Sequence, residues 1–289
     1  MTTPQTLGAL LWAVASVTSA QAACLNDAQV AELAAHYQAR TPAPNFAPMT
    51  DAEGACTRAK FNALLAQQGR PVVGYKAGLT NPAVQQRFKT DKPVWGKLYA
   101  GMVQPNGATV PAAFGARPLF EADMLVRVKS AAINQARTPM EVIDAIDQVI
   151  PLVELPDLLV QAPPQLNGPG VAAINVGARL GVASEPLPVP VTRAERYALH
   201  DALRDMQVVV TDGLGTTLGQ GKGSDILGHP LNAVVWLAQA LAQEGLALQP
   251  GDLVSLGSFS PLLPPKPGLQ VQVRYPGLPG AVPVQLSFE

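Results

Sequence analysis

Residues 119–128 constrain the fold most, because two acids interrupt an otherwise apolar run. Alternate residues of a β-strand point to the same face. Glu121 and Asp123 would therefore lie side by side on one face. The opposite, apolar face would be formed by Phe120, Ala122, Met124, Val126 and Val128. Two adjacent carboxylates repel each other unless a cation lies between them or one of them takes up a proton.

A second apolar run, residues 149–156, carries one more isolated acid, Glu154. Three carboxylates in strand-like apolar segments predict an oxygen-lined site for a hard divalent cation. The alternative is that Glu121, Asp123 and Glu154 are acids at strand ends that face water. Spacing alone leaves both interpretations open.

The composition narrows the class of protein. The chain has 289 residues, of which 48% are hydrophobic and 14% charged, so it is a globular chain with a large core in one or two domains. The formal net charge of −1 and the lack of a basic run argue against nucleic acid as a partner. The 28 prolines favour loops and edge strands over long helices.

Residues 1–23 resemble a signal peptide. Residues 7–17 are apolar, and Ala20 and Ala22 offer the small side chains of a cleavage site. The segment is short for a transmembrane helix, so we expect a periplasmic or secreted protein with no membrane attachment after cleavage. Lys and Arg are absent before the apolar run, which leaves a simple N-terminal extension as the alternative.

The two cysteines, Cys24 and Cys56, both lie near the predicted mature N-terminus. An even count in an exported protein permits a disulfide. We predict that they form one, because the compartment would be oxidising and no other cysteine competes. Two unpaired structural cysteines are the alternative.

Helical and strand signals alternate along the rest of the chain. Thr50 and Thr138 each open a capping box, and residues 230–244 have the apolar spacing of a long helix. Residues 89–99 look irregular, and the Pro- and Gly-rich residues 163–170 look like a loop. We predict an N-terminal helical segment at 24–70 and a domain of short strands and separate helices at 71–289, which is an α+β or mixed β-roll core.

Three motifs resemble a known family. Residues 74–80 read GYKAGLT, residues 228–238 read GHPLNAVVWLA, and residues 256–261 read LGSFSP, followed by KPG at 266–268. In this order they are similar to segments of the 2-oxopent-4-enoate hydratase and 4-oxalocrotonate decarboxylase group, within the fumarylacetoacetate hydrolase superfamily. The resemblance covers residue 26 to the end and implies a fumarylacetoacetase C-terminal-domain-like mixed β-roll or barrel with peripheral helices.

The resemblance also implies roles for individual residues. It places the family's metal triad on Glu121, Asp123 and Glu154, with Asp123 where Glu is usual, and so implies Mg²⁺ or Mn²⁺. Lys76 would be a proton carrier or a clamp for the substrate carboxylate, although by itself it could be a surface lysine. Leu79 and Ser258, within the matched motifs, would bind the substrate.

Two segments depart from the family pattern. An acid usual in the segment VDxPDFG is replaced here by Val94, and residues 167–172 lack the Ser of the family's DNASSG segment. Asp91, three residues before Val94, is the candidate to replace the missing acid. The resemblance therefore implies a conserved metal platform with altered proton-transfer residues.

The implied activity is that of a metal-dependent hydratase, a lyase of aromatic catabolism, acting on a small 2-oxo or 2-hydroxydienoic acid such as 2-hydroxypenta-2,4-dienoate. Decarboxylation or C–C bond hydrolysis at the same site is the first alternative. An exported, catalytically weak paralogue that binds a 2-oxo acid is the second. We also expect a homo-oligomer.

Overall fold

A computed structural model describes residues 24–289; the predicted signal peptide lies outside the described residues. The α-helices of this part of the chain are α1 (Asp27–Ala39), α2 (Asp51–Ala66), α3 (Pro82–Arg87), α4 (Pro139–Ala145), α5 (Gly168–Ala173), α6 (Arg193–Asp205) and α7 (Asn232–Gln243). None of them is both long enough and apolar enough to cross a bilayer.

The strands form two sheets. They are β1 (Val72–Gly78), β2 (Val94–Tyr99), β3 (Val103–Pro105), β4 (Thr109–Val110), β5 (Glu121–Val128), β6 (Ile146–Leu155), β7 (Leu180–Ala183), β8 (Leu187–Pro188), β9 (Gln207–Asp212), β10 (Thr217–Lys222), β11 (Leu253–Ser255), β12 (Gln270–Arg274) and β13 (Val284–Phe288). The larger sheet has the order β2-β1-β11-β5-β6-β7-β3, with β8 also paired to β6, and the smaller sheet has the order β10-β9-β12-β13-β4. Parallel and antiparallel pairs occur in both sheets, which confirms the predicted mixed α+β architecture.

Strand β5 is buried on both faces, and each face packs in a different hydrophobic core. Its alternate apolar residues, from Ala122 to Val128, lie in a core that also includes the inner face of the smaller sheet and helix α7. Leu125, on the face of Glu121 and Asp123, lies in a second core with α1, α2 and α5. The predicted division of this strand into an acidic and an apolar face is confirmed.

Two segments differ from the sequence prediction. Residues 94–99 form strand β2, which pairs antiparallel with β1; Pro93 and Gly96 hide its pattern in the sequence. Residues 168–173 form helix α5, not a loop. Asn167 accepts a hydrogen bond from Gly170 N at the start of this helix, and Pro169 lies in its first turn. Proline is favoured in the first turn of a helix, so here it opens the helix.

The N-terminal helical segment is continuous with the rest of the protein. Val30 and Phe61 lie in the same apolar core as Leu79 and Val160. Helix α2 packs closely against α5, since a Cβ atom at Gly54 would lie 2.5 Å from Pro169 O. These helices therefore cover the acidic face of the larger sheet.

A disulfide joins Cys24 to Cys56 in the structure, with a Cα–Cα distance of 5.7 Å. It anchors the residues before α1 to helix α2. We expect no free thiol in the purified protein after denaturation without a reductant. Reduction should lower the free energy of unfolding by about 3–4 kcal/mol, the chain-entropy value for a loop of this length. Two titratable thiols in the unreduced chain would refute the pairing.

His229, just before α7, is buried with both ring nitrogens engaged. Leu231 N donates to its Nδ1, and its Nε2 donates to His200 O, both at 3.1 Å. Burial, together with the neighbouring charges of His200 and Arg204, lowers the pKa of His229 to about 4, although the hydrogen bond to His200 O opposes the shift. The ring is therefore neutral in the folded protein at neutral pH.

This lowered pKa predicts acid sensitivity. The unfolded state binds more protons than the folded state between pH 6.5 and about 4, so stability falls as pH falls through that window. We expect His229 to account for about 2–3 kcal/mol of the loss between pH 7 and pH 4.5. Urea unfolding of wild type and His229→Gln at both pH values tests this. The variant should lose less stability on acidification, and an identical loss would contradict the assignment.

Candidate active site

The pairing of β5 with β6 brings the acids together. Glu121 is directly opposite Glu154 in the antiparallel register, and Asp123 is opposite Leu152. All three carboxylates are buried, and Asp123 is 0% exposed. The alternative of acids facing water at strand ends is therefore wrong.

Lys76 reaches the same place from β1. Its register partner Ser255 lies on β11, the strand between β1 and β5. The side chain is 2% exposed, so Lys76 is not a surface lysine. Its Nζ donates to Glu154 Oε1 and, at 3.0 Å, to Val176 O.

Protein donors hold Asp123 in place. Its Oδ1 accepts from Met124 N at 2.6 Å and from Gly257 N at 2.9 Å, and its Oδ2 accepts from Ser255 Oγ at 2.5 Å. Each carboxylate oxygen can accept two bonds, so Oδ2 keeps free acceptor capacity. Asp123 thus accepts three hydrogen bonds from the protein and is the least exposed acid of the three.

The acids carry more negative charge than the single lysine balances. Burial and the charge of Glu154 together raise the pKa of Glu121 to about 8, although Lys76 and a hydrogen bond with Ser258 oppose the shift. Burial and the charge of Glu154 also raise the pKa of Asp123. The cluster of Glu121, Asp123 and Glu154 therefore favours a proton or a further cation.

The donor chemistry fits a hard divalent cation. Glu154 Oε2 is buried without a hydrogen-bond partner among the described residues, although buried polar atoms normally have one. Within residues 24–289, however, no three His, Cys, Asp or Glu side chains already surround a single point as a metal cage. The assignment of all three acids as ligands thus remains a prediction.

A cleft with a cavity volume of about 50 Å³ opens onto this cluster. Its polar lining is formed by Lys76, Thr80, Asn81, Glu121, Glu154 and Ser258. The larger apolar part includes Leu79, Val84, Phe88, Leu158, Val171 and Leu262. Leu79 and Ser258, the predicted substrate-binding residues, both lie here. The cleft suits a small ligand with one anionic end and an apolar body.

Asp91 is not among the residues that line the cleft, and its catalytic role stays a prediction. It is exposed in the turn before β2 and is not among the cleft-lining residues. Val94 is buried beside Gly78, its partner on β1, and lines an outer groove instead.

Sequence reasoning missed a left-handed turn that holds Lys76. Asn175, Val176 and Gly177 have φ values of 56°, 55° and 65°, and a β-branched residue rarely adopts such a value. The Asn175 side chain accepts from Lys97 N at 2.7 Å and donates to Lys97 O at 3.0 Å. The turn presents Val176 O to Lys76. Asn and Gly at its two ends were the available sequence signal.

Curated relatives span most of the chain. A 2-keto-4-pentenoate hydratase of Paraburkholderia xenovorans (strain LB400) is 30% identical over 200 residues, which cover 69% of this chain and 71% of the relative. A 4-oxalocrotonate decarboxylase of Pseudomonas putida is 28% identical over 263 residues, which cover 88% and 96%. No protein-family model matches the chain.

Solved structures share the fold. The 4-oxalocrotonate decarboxylase from Pseudomonas putida G7, complexed with magnesium and adipate, has a TM-score of 0.75 and 25% identity, covering 92% of this chain and 99% of that one. A fumarylpyruvate hydrolase from Pseudomonas aeruginosa, in complex with Mn²⁺ and pyruvate, has a TM-score of 0.55 at 12% identity over 76% of this chain and 91% of that one, and so supports the fold alone. The predicted fold class is confirmed.

Proposed function

Because this chain belongs to the 2-keto-4-pentenoate hydratase and 4-oxalocrotonate decarboxylase group of the fumarylacetoacetate hydrolase superfamily, we propose that it is a metal-dependent hydro-lyase. Its substrate would be a small 2-oxo or 2-hydroxydienoic acid such as 2-hydroxypenta-2,4-dienoate. The observation that carries the proposal is the buried cluster of Lys76, Glu121 and Glu154 at the end of a mainly apolar cleft, with Glu154 Oε2 unpaired.

Glu121, Asp123 and Glu154 would hold the divalent ion, Mg²⁺ or Mn²⁺. The structural relative complexed with magnesium supports this choice, and oxygen donors are the ligands that these ions prefer. When bound, the ion supplies a Lewis acid that stabilises negative charge developing on the substrate's 2-oxo group. Ser255 and Gly257 keep the carboxylate of Asp123 oriented for this role.

Lys76 would move or steer the proton. Lys76, Glu121 and Glu154 are the ionisable residues that line the cleft, and the two acids are assigned to the ion. Glu154 and Val176 fix the ammonium group at the polar end of the cleft, where it can donate a proton to substrate carbon or oxygen. With Val94 apolar and Asp91 exposed, proton transfer in this chain would differ from the family pattern.

The apolar wall of the cleft would hold the unsaturated body of the substrate. Phe88, Val171 and Leu262 place no charged group there. An apolar wall limits the access of bulk water, which keeps the electrostatic interactions at the acids strong. The wall therefore favours a compact, uncharged hydrocarbon segment behind the anionic head.

Decarboxylation on the same site is the second candidate activity. It is favoured by the 4-oxalocrotonate decarboxylase relative, which this chain covers almost completely. We also propose export through a signal peptide at residues 1–23 and assembly as a homo-oligomer. The Cys24–Cys56 disulfide supports an oxidising compartment.

Product analysis tests the proposed reaction. Mature protein with Mg²⁺ is incubated separately with 2-hydroxypenta-2,4-dienoate, 4-oxalocrotonate and fumarylpyruvate. The proposal expects a hydrated 2-oxo acid from the first compound. Carbon dioxide released from the second alone would identify a decarboxylase, and cleavage of the third a C–C hydrolase. Binding of these acids without any product would indicate the catalytically weak paralogue.

A further inference from the structure

The buried hydroxyl group of Thr80, a residue that lines the cleft, has no role in the proposed reaction. Thr80 is 1% exposed and lines the cleft, and its Oγ1 has no hydrogen-bond partner among residues 24–289. A buried hydroxyl without a partner is unfavourable, and native proteins pair most such groups. An unpaired, fully buried hydroxyl on a residue that lines a cleft therefore indicates a partner that arrives with the ligand.

Thr80 lies between an unusual backbone turn at Leu79 and a closely packed glycine, Gly257. Leu79 has a φ of 55°, an uncommon value for a bulky residue, and Gln85 Nε2 donates to Leu79 O at 2.8 Å to hold that turn. Gly257 faces the hydroxyl, and a Cβ atom there would lie 2.1 Å from Thr80 Oγ1. Only glycine at position 257 leaves the hydroxyl in place.

Gly257 also locates the hydroxyl at the anionic end of the cleft. Its N–H donates to Asp123 Oδ1, and the next residue, Ser258, lines the cleft beside Glu121. Thr80 thus lies against Gly257, which bonds the predicted metal ligand Asp123. A ligand oxygen in its reach belongs to the head of the bound acid.

We infer that the Thr80 hydroxyl hydrogen-bonds to an oxygen of the 2-oxo-carboxylate head of the substrate, which makes Thr80 a further substrate-binding residue. The inference rests on the proposed function. It predicts recognition of the shared head of 2-oxo acids, with no dependence on the length of the hydrocarbon tail.

Two substitutions separate the contribution of the Thr80 hydroxyl to ligand binding from the contribution of side-chain shape. Thr80→Val keeps the branched shape and removes the hydroxyl, whereas Thr80→Ser keeps the hydroxyl. Calorimetric titration with oxalate, pyruvate, 2-oxobutanoate and 2-oxopentanoate in the presence of Mg²⁺ measures affinity. We expect Thr80→Val to lower the affinity for every ligand by about 10- to 100-fold, by the same factor for all chain lengths. The affinities of Thr80→Ser should stay within about threefold of those of wild type.

Thr57 provides a matched control. It is a buried threonine of α2 that does not line the cleft, and its Oγ1 accepts from Leu25 N at 3.2 Å. Thr57→Val should lower the melting temperature and leave ligand affinity unchanged. Thr80→Val should weaken ligand binding and leave the melting temperature unchanged, because the Thr80 hydroxyl has no protein partner to lose. Thr80→Ala serves as a second hydroxyl-free variant if the valine is poorly accommodated.

The outcomes distinguish this inference from the proposed function. If wild type binds the 2-oxo acids and Thr80→Val and Thr80→Ala bind them equally well, Thr80 is not a head-group ligand although the proposed function stands. A loss that grows with chain length would place the hydroxyl on the tail and also overturn the inference. If wild type neither binds nor converts any of these acids, the proposed function and the inference fail together.

Discussion

Replacing Lys76 by methionine should lower turnover of 2-hydroxypenta-2,4-dienoate by about 100- to 10,000-fold, the range for loss of a general acid–base group. Methionine preserves the apolar stem and removes the only ammonium group that residues 24–289 contribute to the cleft lining. Affinity for oxalate with Mg²⁺ should change much less, because the acids that would hold the ion remain. Loss of dienol absorbance measures turnover, and calorimetry measures affinity.

Lys97→Met is the matched control for this substitution. Lys97 lies on the neighbouring strand β2, opposite Tyr75 of β1, and is not among the residues that line the cleft. The control should keep turnover within about threefold of wild type. If Lys76→Met also keeps wild-type turnover, Lys76 does not carry the proton. If Lys76→Met lowers the affinity for oxalate by the same factor as it lowers turnover, Lys76 is a clamp for the substrate carboxylate.

Glu121→Gln and Glu154→Gln should each weaken Mn²⁺ binding by about 100-fold or more. Each change removes a negative charge from the candidate metal site with almost no change in shape, and loss of a residue that only supports a metal ligand already costs 10- to 100-fold. Asp123→Asn is less informative, because an amide nitrogen would face Ser255 Oγ or two backbone N–H donors. Calorimetric titration of the metal-free protein checks both glutamate variants.

The same titration should depend on pH. The pKa of Glu121 is raised to about 8 in the metal-free protein, and a metal ion must displace that proton to bind. Affinity for Mn²⁺ in the wild type should therefore rise as pH increases from 6 towards 8, and this rise should be smaller in Glu121→Gln. Asp91→Asn, an exposed acid outside the cleft, is the control that should match wild type. Unchanged Mn²⁺ affinity in both glutamate variants would show that the ion lies elsewhere or is absent.

The sequence reveals local features of this site better than contacts between distant segments. Strand alternation alone places Glu121 and Asp123 on one face of β5. That Glu154 lies opposite Glu121 depends on the register of β5 with β6, which the acids themselves do not encode. The family resemblance grouped Glu154 with Glu121 and Asp123 as metal ligands and assigned Lys76 to the same site, but the strand register and the place of β11 come from the structure.

The features that sequence reasoning missed arise from tertiary contacts. The unpaired hydroxyl of Thr80 becomes apparent only when Gly257 is packed against it. The left-handed turn at Val176 runs against the preference of a β-branched residue and is held by the Asn175 side chain bonding to Lys97. Asp91 was assigned from its place in the sequence, without knowledge of the direction of its side chain. Strand β2 and helix α5 were hidden by prolines and glycines that these elements in fact use.

The most direct test of a metal-dependent hydratase is one assay on the mature protein. The protein is stripped with a chelator, mixed with 2-hydroxypenta-2,4-dienoate, and followed by loss of the dienol absorbance as Mg²⁺ is added. We predict no catalysed loss without metal, a rate that rises and saturates with Mg²⁺, and abolition by excess chelator. Absence of turnover at every Mg²⁺ concentration, or turnover that the chelator leaves unchanged, would contradict the account.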